Sequence, residues 1–242
     1  MVQEVFQRLE KKYLMTEAQH GRLMLAAGGR LQKDEYGEYQ ISNIYFDTPD
    51  FLLVRRSLEK PVYKEKLRLR AYGRELRSDS QVFMELKKKY DSVVYKRRIA
   101  MELKEARACF YNREQTGRDD QIFKELDFAA ARYGLMPKAY ISYERTAYFW
   151  TEDPSLRVTF DRKLLGRDYE LELSLGSYGS RIIEEGLVLM ELKAAGAIPM
   201  WLCHALSENG IFPCSFSKYG THYRKLEAAC RETSREENKD CA

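Results

Sequence analysis

The chain has 242 residues, 44% of them hydrophobic, which is enough to bury a substantial core in one large β-rich domain or in two small ones. Its 41 basic and 37 acidic residues leave a formal net charge of only +4. That excludes a generally cationic protein of the kind that coats nucleic acid, so any basic site must come from placement. Five scattered cysteines (Cys109, Cys203, Cys214, Cys230 and Cys241), odd in number and without a CxxC pair, argue against a disulfide framework and a zinc site, and favour reduced thiols in a cytoplasmic protein.

In chain order, the charged start MVQEVFQRLEKKY and the lack of any apolar run of about 18 residues predict a soluble chain without signal peptide or membrane span. Val5 to Leu14 reads as a first strand with Arg8, Glu10 and Lys12 on one face. Thr16 offers an N-cap to a short helix over His20 to Ala27 that ends at Gly28 and Gly29. A strand from Tyr39 to Phe46 stops at Asp47-Thr48-Pro49, and Phe51 to Leu58 reads as a helical turn. The strand KEKLRLRAY, Lys64 to Tyr72, follows. Strand side chains alternate, so Lys64, Lys66, Arg68 and Arg70 line one face and Leu67, Leu69 and Ala71 the other. Val82 to Lys89 repeats the design, with Glu85, Lys87 and Lys89 opposite Val82, Met84 and Leu86. Asp91 and Ser92 form a hairpin into Val93 to Ile99, which carries Lys96, Arg97 and Arg98.

Two helices, Glu102 to Tyr111 and Asp120 to Tyr133, are closed by Gly134 and Pro137. Strands are expected again at Lys138 to Phe149 (Tyr143 and Arg145 on one face), Leu156 to Asp161 (Arg157, Thr159 and Asp161), Tyr169 to Leu173 (Glu170 and Glu172) and Leu187 to Ala194 (Glu191 and Lys193). Pro199 opens a helix through Leu206, and another starts near Lys218. A charged tail after Arg231 is expected to be disordered, which leaves residues 1–230 as a single domain.

A single strand of alternating charged and aliphatic residues is ordinarily the half-exposed strand of an antiparallel sheet. Here the pattern recurs in at least seven strands. That favours an α+β fold built on a closed antiparallel β-barrel, with its apolar face under the helices and its charged face turned to a wet lumen. Burying so many cations unpaired in a dry core would be prohibitive. A basic lumen suits a linear polyanion, and the acids Glu10, Glu85, Asp161, Glu170, Glu172 and Glu191 suit Mg²⁺ or Mn²⁺ held through one or two carboxylates and phosphate oxygens. Together they describe phosphoryl transfer.

The segments Glu10 to Tyr13, Tyr45-Phe46-Asp47-Thr48, KLRLR at Lys66 to Arg70, ELK at Glu85 to Lys87, SYER at Ser142 to Arg145, LRVTFD at Leu156 to Asp161, MELK at Met190 to Lys193 and SKY at Ser217 to Tyr219 together resemble the VTC-type polyphosphate polymerase domain. That family belongs to the triphosphate tunnel metalloenzymes, together with the CYTH-type phosphatases and cyclases. The resemblance implies a tunnel that binds ATP and passes its terminal phosphate to inorganic polyphosphate, with a divalent metal, usually Mn²⁺. It implies catalytic roles for Lys12, Arg68, Arg70, Lys87, Arg145, Arg157 and Lys218, and phosphate contacts from Lys66, Lys89, Tyr143, Lys193 and Ser217. A further contact falls within Lys96 to Arg98, assigned to Arg97. Glu191, with Glu10 and Glu172, is expected at the metal. Ser215 stands where the family often has another lysine. The chain as given carries neither the inositol-phosphate-sensing domain nor the membrane helices of the eukaryotic assemblies, which leaves room for a membrane-protein partner.

Two other readings stay open. One is a tunnel hydrolase of triphosphate or nucleotides, for which the Glu170-x-Glu172 pair could hold a metal; the other is a non-catalytic polyphosphate sensor. His20, His204 and His222 have no ligand spacing and read as surface or capping residues, and the tryptophans and tyrosines read as packing rather than RNA-stacking platforms.

Overall fold

The computed structural model describes residues 9–91 and 93–240, with side chains as far as Glu232. Its elements are β1 (Leu9–Thr16), α1 (Glu17–Ala27), β2 (Leu31–Asp47), α2 (Leu52–Leu58), β3 (Tyr63–Tyr72), β4 (Gln81–Tyr90), β5 (Val93–Glu102), α3 (Leu103–Phe110), α4 (Gln121–Tyr133), β6 (Met136–Trp150), β7 (Arg157–Arg167), a 3₁₀ turn at Leu173–Leu175, β8 (Ser180–Arg181), β9 (Leu187–Ala194), α5 (Met200–Glu208), β10 (Pro213–Cys214) and α6 (Lys218–Asp240). Val5 to Arg8 of the expected first strand, Ser92 of the hairpin and Cys241 lie outside the described residues.

The strands form one sheet in the order β10-β1-β9-β7-β6-β2-β3-β4-β5, with β8 beside β7. The pairs β1–β10, β1–β9, β3–β4, β4–β5, β7–β8 and β7–β9 are all antiparallel. The fold is therefore mixed, a large antiparallel sheet with six helices, but no ladder joins the two ends of the path among the described residues. These ladders do not show the expected closed barrel. At one end of the path β10 is two residues long and starts with Pro213, which has no N–H to donate, and at the other β5 exposes Lys96, Arg97 and Arg98.

The chain divides into two compact units. The first comprises the described residues up to Ile41 with Tyr143–Leu164 and Ile183–Phe216; the second comprises Ser42–Ser142, Leu165–Ile182 and the described residues from Ser217. In the first unit, Tyr13, Met15, Val158, Phe160, Met190 and Leu192 project from β1, β7 and β9 into a core shared with Leu23 of α1 and Leu202 of α5. In the second, Leu67, Leu69, Val82, Met84 and Leu86 of β3 and β4 pack on Phe110 of α3 and Leu126 of α4. Period-2 alternation builds both cores, because each strand turns one apolar face to its helices.

The helices start where local chemistry dictates. The Thr16 hydroxyl accepts from the Gln19 N–H in a capping box, and Asp120 caps α4 through the Phe123 N–H. Gly28 and Gly134 close α1 and α4 in the left-handed conformation, at φ 54° and 59°. No helix among the described residues is long and apolar enough to cross a membrane. The helix α6 continues through the charged stretch after Arg231 that composition marks for disorder.

The segment Tyr169 to Leu173 is not a strand. The Arg167 side chain, 1% exposed, lies over the Tyr140 and Tyr178 rings at 3.6 and 3.9 Å. It donates to the carbonyls of Glu170, Glu172, Gly176 and Tyr178. Carbonyls gathered on one guanidinium cannot serve a ladder, and Glu170 turns to φ 45°.

Candidate phosphate-binding site

The second unit carries the largest concentration of basic side chains on one strand face. The register pairs Lys64 with Lys89, Lys66 with Lys87 and Arg68 with Glu85 across β3 and β4, then Lys87 with Lys96 and Glu85 with Arg98 across β4 and β5. Directly paired residues share a face. With Arg70 this brings eight cations, Lys64, Lys66, Arg68, Arg70, Lys87, Lys89, Lys96 and Arg98, onto a face of β3, β4 and β5 that holds two acids, the buried Glu85 and, at the end of β5, the exposed Glu102.

Glu85 is 1% exposed and collects half of these charges. Arg68 reaches its Oε2 at 2.7 Å and Arg70 at 3.7 Å, while Lys96 and Arg98 reach its Oε1 at 2.8 and 3.5 Å. Burial alone would raise its carboxyl, but Arg68, Arg70 and Lys96 outweigh burial and hold it at about 2. The Lys96 ammonium is lowered by burial first, with Arg68 and Arg70 acting against its bond to Glu85.

Tyr45 of β2 joins this face. Its hydroxyl accepts from Arg68 Nη1 at 3.3 Å. Burial would raise the phenol, yet Arg68, Lys66 and Arg70 bring it down to about 8. Asn43, fully buried, accepts from Arg70 Nε at 3.0 Å and donates to the Ile141 carbonyl, which fixes the guanidinium's direction. Sequence reasoning missed both roles. Tyr45 stood in the YFDT segment without an assignment, and one asparagine in a strand carries no pattern.

The start of α6 docks beside these residues. Ser217 Oγ accepts from Lys66 Nζ at 3.0 Å and from the Gly220 N–H at 3.1 Å, so the side chain that caps the helix also holds a lysine of the basic face. The Tyr219 ring stacks on Tyr45 at 4.8 Å, and its hydroxyl donates to Asp47 Oδ2 at 3.0 Å. Asp47 in turn accepts from the Thr48, Leu53 and Val54 N–H groups at the start of α2. Lys218 is the first residue of α6.

Two expectations about this unit change. Arg97 is turned to the apolar side of the sheet, opposite Leu86, where it donates to Glu125 of α4 at 2.9 Å; the basic-face residues are its neighbours Lys96 and Arg98. Glu172 lies in the turn held by Arg167, and its carboxylate pairs with Arg107 at 3.1 Å.

The first unit carries a mixed face. Its register sets Glu10 opposite Lys193, Lys12 opposite Glu191, Arg157 opposite Lys193 and Thr159 opposite Glu191. Glu191 binds Lys193 at 2.8 Å, Lys12 lies 3.8 Å from Glu10 and donates to the Phe216 carbonyl, and Arg157 approaches Asp34 at 3.8 Å. Arg145 grips the fully buried Asp161 with two bonds of 2.6 and 2.8 Å, and its guanidinium carbon lies 5.2 Å from the centre of the Tyr143 ring. Burial would lower the Arg145 value, but Asp161 and Tyr143 hold it well above the ordinary range.

No group of three His, Cys, Asp or Glu side chains able to hold a metal occurs among the described residues. An all-protein metal cage therefore does not fit. Glu10 and Glu191 are diagonal neighbours on adjacent strands, which fits a hard divalent cation held by one or two carboxylates and completed by substrate phosphate oxygens.

The family model described as VTC domain matches residues 7–227. Comparison with curated protein sequences finds no match. Among solved structures, a candidate adenylate cyclase from Bacillus halodurans is similar at a TM-score of 0.51 and 14% identity, over 87% of this chain and 93% of that one. A candidate adenylate cyclase from Vibrio parahaemolyticus aligns at a TM-score of 0.49 and 13% identity over 91% and 99% of the two chains. A protein from Pyrococcus horikoshii aligns at 0.45 and 14% over 92% and 99%.

Proposed function

The chain belongs to the VTC domain family, and we propose that it transfers the terminal phosphate of ATP to inorganic polyphosphate in a metal-dependent reaction. The observation that carries this reading is the face of eight cations around the buried acid Glu85. A linear polyanion offers a row of charges to such a face, whereas a small neutral substrate offers none.

On this reading Arg68 and Arg70 grip the triphosphate with planar donors, and Glu85 yields part of their edge as phosphate arrives. Lys64, Lys66, Lys87 and Lys89 hold further phosphates as compact charges. Tyr45 and Asn43 keep the two guanidinium groups aimed, and Ser217 with Lys66 ties the start of α6 to the bound chain. Glu10 and Glu191 of the first unit would hold the divalent ion that the family's reaction requires, whose chemistry is charge neutralisation on phosphate oxygens. An oxygen of the acceptor's terminal phosphate attacks the γ-phosphorus, the bond to the β,γ-bridging oxygen breaks, and ADP leaves. The closed tunnel, a cytoplasmic location and a membrane-protein partner belong to the same proposal and rest on the family.

The test is incubation of the purified protein with ATP and Mn²⁺, read by product length on a gel. Long-chain polyphosphate is the expected product. Free phosphate without chains would make the protein a hydrolase, and tight binding without turnover would make it a sensor.

A further inference from the structure

The proposed site binds phosphates, and a nucleotide donor and its polyphosphate product differ in what lies beyond them. We infer that Arg98, backed by Phe83, is a stacking platform for the base of a nucleoside triphosphate whose phosphates lie on Arg68 and Arg70; this rests on the phosphate-binding reading above.

Arg98 differs from the other basic residues of the face in how its guanidinium is held. Its central carbon sits 3.6 Å over the centre of the Phe83 ring, so one face of the plane is covered. Its Nη2 donates to the Tyr72 hydroxyl at 3.4 Å in an exposed contact and its Nε lies 3.5 Å from Glu85, so two of its N–H groups are engaged within the protein's own side chains. Tyr72 and Phe83 themselves meet edge to face at 5.7 Å, which fixes the backing. A guanidinium that reads phosphate presents its N–H edge. Here Tyr72 and Glu85 engage two of the N–H groups while 35% of the side chain stays exposed, and the face of the plane away from Phe83 is the surface on offer. Such a surface recognises the π-face of a nucleobase.

The position suits a base. Glu85 of β4 pairs with Arg68 on one side and Arg98 on the other, so the two arginines are separated by one strand, with backbones about 10 Å apart at about 4.8 Å per strand. Both side chains lean toward the Glu85 carboxylate between them, so phosphates on Arg68 and a base on the outer face of Arg98 would flank Glu85. β5 is the last strand of the path among the described residues. Lys96, on the same face of β5, carries a comparable charge to Glu85 but has no plane to offer.

The experiment compares dissociation constants of ATP and inorganic triphosphate by calorimetry with Mg²⁺ present, in the wild-type protein and in Arg98→Lys. The variant keeps the charge beside Glu85 and removes the plane. The ratio of the triphosphate constant to the ATP constant is expected to fall about tenfold in the variant, and in the wild-type protein purine triphosphates should bind more tightly than pyrimidine ones. An unchanged ratio, with triphosphate still bound, overturns the platform and leaves the phosphate site standing. If neither ligand binds the wild-type protein, the phosphate reading fails and the platform with it.

Discussion

Glu85 is the residue on which the basic face depends, because without a ligand it is the counter-charge for Arg68, Arg70, Lys96 and Arg98. Its carboxyl is held at about 2, below the ordinary glutamate value of 4.5. A depressed acid contributes stability that is complete above the ordinary value and is lost as pH falls through the folded one, so this contribution, roughly 3 kcal/mol, disappears between pH 4.5 and about 2. Glu85→Gln should lower the melting temperature at pH 7 by removing that charge, and inorganic triphosphate should stabilise the variant more than the wild-type protein; equal ligand-induced shifts would count against the role. Tyr45 gives a second handle. A single phenol should titrate near pH 8 in ultraviolet difference spectra, and Arg68→Ala should move it toward 10, because the largest charge opposing its burial is then gone. Triphosphate should move it in the same direction by neutralising the same guanidinium. No titration below the ordinary tyrosine range would refute the arrangement.

At the scale of elements, β3, β4 and β9 were legible in the sequence because alternation is a local signal and needs no knowledge of the partner strand. What pairs with what was not. The choice between Arg97 and Arg98 depends on the register set at the β4–β5 hairpin, where Asp91 takes φ 39°, and a slip of one residue exchanges every side chain between faces. Ser217 was visible in its motif, but its partner Lys66 stands 151 residues away. The Tyr169 to Leu173 segment misled because alternation was present, while the buried Arg167 had already taken its carbonyls. His222, read as a surface residue, is 3% exposed on α6 and packs on Gly166 of β7. A Cβ at Gly166 would come within 2.5 Å of the His222 ring, a clash that a buried ring cannot relieve. Gly166→Ala should therefore destabilise the protein by about 1–3 kcal/mol in a denaturant titration, and His222→Ala in the same chain should recover part of the loss. A neutral single substitution would mean that α6 yields freely at this point.

At the scale of the molecule, net charge and local charge tell different stories. The whole chain carries +4, while one strand face in the second unit gathers eight cations against two acids, Glu85 and Glu102. Many of the other acids are paired with basic residues off this face, such as Arg97, Arg107 and Arg118. Binding driven by the overall charge would be weak and insensitive to single substitutions. Binding driven by this face must displace counterions from a polyanion, so the logarithm of its affinity should fall linearly with the logarithm of salt concentration. By analogy with nucleic acids, each cation engaged contributes a slope of about 0.7–0.9. Lys89→Gln should reduce the slope by about one such step. Arg113→Gln, whose native side chain pairs with Asp127 and lies off this face, should leave it unchanged. Polyphosphate titrations at several salt concentrations measure both, and equal slopes in the two variants would return the binding to the overall charge of the chain.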